Sequence, residues 1–71
     1  MEYSVVVSHD EEGGYWVQVP ALPGCYSQGE SVAEAIDHVR EAIELYLDVL
    51  TERGEAPPSD ADVVFRVSVP A

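Results

Sequence analysis

Seventy-one residues carry fourteen acidic side chains against three arginines and no lysine, a formal net charge of −11. That length holds one domain at most, near the lower limit for a single apolar core, and Arg40, Arg53 and Arg66 are too scattered along the chain to neutralise a run of phosphates. With Cys25 as the one cysteine, no apolar run of about 18 residues and no export-type N-terminus, the composition excludes an intrachain disulfide and argues against zinc–thiolate binding, secretion and membrane insertion. The chain reads as a soluble cytoplasmic protein that does not contact nucleic acid directly.

Residues 3–8 (YSVVVS) are rich in β-branched side chains, with Tyr3, Val5 and Val7 on one face. The polar DEEGG at 10–14 reads as a loop, and YWVQVP at 15–20 alternates again. Tyr15, Val17 and Val19 share one face there; Trp16, Gln18 and Pro20 share the other. Two alternating runs joined by a short glycine loop predict an antiparallel hairpin. In ALPG at 21–24, Pro23 presets φ for the first central position of a turn and Gly24 accepts φ > 0 at the second. Residues 25–28 then form a short third strand that Gly29 closes, which completes a β-meander.

The helix has the strongest periodicity. Val32, Ala35, Ile36, Val39, Ala42, Ile43, Tyr46, Leu47 and Leu50 follow spacings of three and four, predicting a helix of about 22 residues. Ser31 and Glu34 form an S-x-x-E capping box at its start. Gly54 stands where a C′ glycine belongs, and Pro57–Pro58 forbids continuation. Finally DVVFRVSV at 62–69 reads as a fourth strand with Val63, Phe65, Val67 and Val69 inward. The order is β-β-β-α-β, an α+β fold over residues 1–71 as a single domain. One helix covers one sheet face, and a right-handed crossover sets strand four parallel to strand one. The open face keeps Val6, Trp16, Gln18, Val64 and Arg66 near solvent.

Catalytic chemistry finds little support. His9 lies beside Asp10, but no nucleophile elbow accompanies the pair, and both read as polar loop residues. His38 reads as a solvated helix flank. Asp10, Glu11 and Glu12 are adjacent without a calcium-loop pattern, and Gly13–Gly14 precedes a strand, so it is no phosphate cradle. No metal and no cofactor is expected. A metal-dependent nuclease would need several carboxylates converging on two ions, whereas strand one carries no central acid. The helix exterior is more informative. Glu34, Asp37, Glu41, Glu44, Asp48 and Glu52 recur at spacings of three and four. Each like-charged neighbour pair costs about 0.2–0.5 kcal/mol, roughly 1–2.5 kcal/mol over the stripe before screening. Solvation can tolerate that cost; a cationic surface would repay it.

Taken in series, Y-S-V-V-V, D-E-E-G-G-Y-W-V-Q-V-P, L-P-G-C-Y-S-Q-G-E-S and E-A-I-x-x-x-x-E-A-I-E-L-Y-L resemble the N-terminal domain of HicB-like antitoxins over residues 3–50, with a fair fit to the last strand. Ser31 stands where threonine is more usual, which keeps the cap. The resemblance implies a partial ribonuclease-H-like fold with strand order 3-2-1-4. It also implies a non-enzymatic role, holding a small basic ribonuclease toxin of the HicA type inactive by covering its active site. Many relatives add a C-terminal DNA-binding domain. These 71 residues hold the N-terminal domain alone, so direct operator binding is not expected of them. The candidate contacts for a basic partner are Asp37, Glu41, Glu44 and Asp48 on the helix, Asp10, Glu11 and Glu12 on the loop, and Trp16 on the open sheet face. Small size and exposed strand edges also predict self-association, at least to a dimer. A solitary homo-oligomeric domain with another regulatory partner is the alternative.

Overall fold

The computed structural model describes residues 1–60 and 67–70. Three strands, β1 (Val6–His9), β2 (Tyr15–Gln18) and β3 (Tyr26–Gly29), precede one helix, α1 (Val32–Glu52). The strands form an antiparallel sheet in the order β1-β2-β3. Register pairs Val7 with Val17 and Ser8 with Trp16 on one side. On the other it pairs Trp16 with Gln28 and Gln18 with Tyr26. The expected meander is therefore present.

Turn chemistry follows the sequence. Cys25 N–H donates to Leu22 O at 2.9 Å, and Gly24 takes φ +82° at the second central position, a region that L side chains avoid. In the hairpin loop Gly13 N–H donates to Asp10 O and Asp10 N–H to Gly14 O, both at 3.0 Å. Glu11 and Glu12 thereby occupy the exposed tip. At the helix start Ser31 Oγ accepts from Glu34 N–H at 3.1 Å, the forward half of the capping box. Arg53 caps the other end, and Gly54 follows with φ +72°.

The core lies between α1 and the sheet. Val17, Val19, Leu22, Cys25, Ala35 and Val39 are buried, with Tyr3, Val5, Ile36, Ile43 and Leu47 among the side chains packed around them. Cys25 is thus a packing residue, and burial pushes its thiol pKa up. The backbone of Gly29 lies against the start of the helix, where a Cβ would stand 2.5 Å from Ala35 N. No side chain fits there, so glycine sets the spacing of the two layers.

Three expectations need adjustment. Strand one begins at Val6, not at Tyr3, because Tyr3 and Ser4 face the chain returning from the helix: Tyr3 OH donates to Pro58 O at 2.7 Å and Ser4 Oγ to Asp60 Oδ2 at 2.8 Å. Val7, expected inward, is 37 % exposed because α1 packs over β2 and β3. Most of the expected fourth strand, with Val63, Val64, Phe65 and Arg66, lies outside the described residues, as does its placement beside β1. Residues 67–70 are described without regular structure. Val67 and Val69, expected inward, are 81 % and 76 % exposed, with no described strand paired against them.

Candidate functional site

Two surfaces stand on opposite sides of the molecule. On α1, at about 100° per residue, Asp37, Glu41, Glu44 and Asp48 fall within an arc of about 60°, directly opposite buried Ala35 and Val39. All four are exposed, as are Glu34 and Glu52, which extend the row at either end. From Asp37 to Asp48 the row runs about 17 Å along the axis. Among the described residues the one ion pair on it joins Arg40 Nη1 to Asp37 Oδ1 at 3.4 Å, with both side chains largely in water, so it neutralises little of the field. The structure thus brings the four helix acids together as a rigid anionic ridge.

The loop acids divide. Glu11 and Glu12 project from the hairpin tip, but Asp10 is already engaged. Its Oδ1 accepts from Glu12 N–H at 2.9 Å and its Oδ2 from the Trp16 indole N–H at 2.7 Å. The Glu12 N–H first, then the indole N–H, hold this carboxyl below the usual aspartate range, with His9 adding a smaller pull. Asp10 therefore orders the loop and fixes the Trp16 ring. Of the three loop acids expected as partner contacts, Asp10 is thus the one already hydrogen-bonded within the chain through both oxygens.

Trp16 lies on the sheet face away from the helix, 42 % exposed. Beside it is Tyr26, 59 % exposed, with ring centroids 5.7 Å apart at 38°. Tyr26 is not among the residues singled out from sequence; strict alternation from buried Cys25 is the signal that places it outward. His38, expected as a solvated flank, is engaged instead. Its Nδ1–H donates to Gln28 O at 2.7 Å, tying α1 to the outer edge of β3. Among the described residues no group of three or more His, Cys, Asp or Glu side chains could hold a metal ion. No described helix is long and apolar enough to cross a membrane.

Comparisons with known proteins bear on the family and the fold. Residues 3–70 match the family described as HicB_like antitoxin of bacterial toxin-antitoxin system. A UPF0150 protein of Thermoplasma acidophilum is 45% identical over 60 residues, spanning 84% of this chain and 87% of its own length. The crystal structure of the N-terminal domain of the Burkholderia pseudomallei antitoxin HicB superposes with a TM-score of 0.72 at 39% identity, covering 97% of this chain and 74% of that one. A Thermus thermophilus protein of solved structure gives a TM-score of 0.68 at 32% identity, covering 96% and 80%.

Proposed function

The chain belongs to the HicB-like antitoxin family of toxin-antitoxin systems, and from that premise we propose that it is a non-enzymatic inhibitor of a small basic ribonuclease toxin of the HicA type. The observation that carries this reading is the anionic ridge on α1. Four carboxylates are held on one rigid helix face with a single arginine among them. Helix geometry fixes their spacing before any partner arrives, so little conformational entropy is lost on binding. Opposite fields also accelerate encounter with a cationic protein. Covering the toxin's cationic RNA-binding surface would inhibit it by exclusion, with no chemistry required of the antitoxin. Glu11 and Glu12 at the hairpin tip form a second, smaller set of contacts in this reading.

The experiment is inhibition of RNA cleavage by a purified HicA-type toxin. Equimolar addition of this chain should suppress cleavage, and the double reversal Glu41→Lys with Glu44→Lys should weaken inhibition by more than about tenfold. Full-strength inhibition by the double variant would move the contact away from the helix. Undiminished cleavage at equimolar wild-type protein would refute the reading itself.

A further inference from the structure

We propose that the apolar trough between the C-terminal half of α1 and β3 receives an apolar side chain of the basic partner, an inference that rests on the inhibitor role proposed above. Leu45 and Val49 are its anchors: the ridge captures the partner, and these two side chains hold it.

Both residues stand apart from the core-facing stripe of the helix. At about 100° per residue, Leu45 lies about 60° and Val49 about 100° around from Asp48, between the ridge and β3. They are 66% and 45% exposed. Helix propensity does not account for them, since alanine or lysine would serve at least as well at 45 and valine is a poor helix former at 49. With Leu50 from the helix and Gly24 and Tyr26 from the sheet side, they line an open trough of about 440 Å³. Its shape is set in advance. Tyr46, also on the lining, donates its OH to Pro23 O at 3.0 Å and so ties the helix to the turn before β3. Little conformational freedom is therefore lost on docking.

The described chain beyond the helix leaves on the other flank. Tyr3 and Ser4 bond Pro58 and Asp60 there, beside Ile36, Ile43 and Leu47, on the opposite side of α1 from Leu45. Charge then selects the occupant. Glu41 and Asp48 stand four residues before Leu45 and three after it, and Glu52 stands three after Val49, so each apolar side chain has exposed carboxylates as surface neighbours. Arg53, at the end of the trough, is the one cation on its lining. An apolar surface rimmed in this way repels an anionic lipid surface, an acidic peptide and a second copy of so acidic a chain. It fits a protein segment whose aliphatic or aromatic side chain is flanked by lysine or arginine. Rim charges act mainly on association, whereas a desolvated apolar anchor acts on dissociation. Ridge and trough are thus adjacent parts of one contact with separable kinetic effects.

The test is the association and dissociation kinetics of the whole chain with a purified HicA-type toxin. Leu45→Ala with Val49→Ala should raise the dissociation rate at least about tenfold, with an association rate within about twofold of wild type and the same salt dependence. Alanine is the better helix former at both positions, so the melting temperature should stay within a few degrees and unfolding would not explain the loss. Leu45→Met keeps the apolar bulk and should dissociate within about threefold of the wild-type rate. Unchanged dissociation of the double alanine variant, beside intact inhibition by the wild-type chain, would overturn the trough and leave the inhibitor role standing. So would a loss confined to the association rate, or a faster dissociation caused by Trp16→Ser alone, which would put the apolar anchor on the outer sheet face. A wild-type chain that forms no complex with the toxin would overturn both.

Discussion

The outer face of the helix and the outer face of the sheet are both open to water, yet one is crowded with carboxylates and the other, over its described strands, holds none. Burial explains neither pattern, because both sets include exposed side chains. Solubility alone would be served by spreading the acids over both. The segregation leaves two surfaces of different character: one presents a field, the other exposed rings. On the helix, like charges at spacings of three and four cost a few tenths of a kcal/mol per pair. On the sheet, rings sit in water at the cost of exposed apolar area. Each face carries a cost of its own.

That contrast depends on a common frame, and Gly29 holds it. A side chain there would press on Ala35 N, Ala35 Cα and Glu34 C, all backbone atoms of the helix start. Gly29→Ala should therefore separate β3 from α1 and cost about 2–3 kcal/mol, lowering the melting temperature by roughly 10–20 °C in a domain of this size. A melting curve within a few degrees of wild type would show that the layers are not locked at this point. Both faces should be disturbed together in this variant.

Asp10 allows a smaller, local perturbation that touches the sheet face alone. Its folded pKa is depressed, so its contribution to stability is present above the unfolded value near 4 and is lost as pH falls through the folded value. The indole bond weakens in the same window. Trp16 emission should shift as pH drops below about 4 in the wild-type protein, and that step should vanish in Asp10→Ala, whose ring is already released. At neutral pH the Asp10→Ala variant should show lower Trp16 anisotropy with the helix ridge unaffected. An identical acid transition in wild type and variant would remove Asp10 from its role as the ring's anchor.

What the sequence discloses depends on how local each feature is. The helix is readable because its period, its Ser31 cap and its Gly54 stop are all local signals, and the observed bounds, Val32–Glu52, fall within a residue or two of the expected ones. The hairpin and the turn at Gly24 are readable for the same reason. The start of strand one is not, since it depends on Tyr3 and Ser4 meeting Pro58 and Asp60 more than fifty residues away. At the candidate site, the ridge can be drawn from helical spacing alone. The engagement of Asp10 by Trp16 needs the hairpin register, and the bond from His38 to Gln28 needs the packing of helix on sheet. Membership of the family is legible from the joint spacing of four short motifs, each weak by itself.

The least perturbing change probes the contrast from the helix side. Glu41→Lys with Glu44→Lys turns the like-charged pairs Asp37–Glu41 and Glu44–Asp48 into attractive ones, while the new cation at position 44 stands four residues from Arg40 and returns part of the gain. The net should be a stabilisation of about 0.5 kcal/mol, visible as a slightly raised melting temperature with an unchanged fold. A lowered melting temperature would mean that the acids hold contacts beyond the Arg40–Asp37 pair.

The same double variant decides most directly whether the helix ridge captures a basic partner through its field. The measurement is the association rate of this chain with a HicA-type toxin across ionic strength, in stopped flow. For the wild-type chain the rate should fall steeply as salt rises, and for the double variant it should start at least about tenfold lower and depend far less on salt. A wild-type rate that does not change with salt, or a double variant that matches it at every ionic strength, would show that the ridge does not capture the partner.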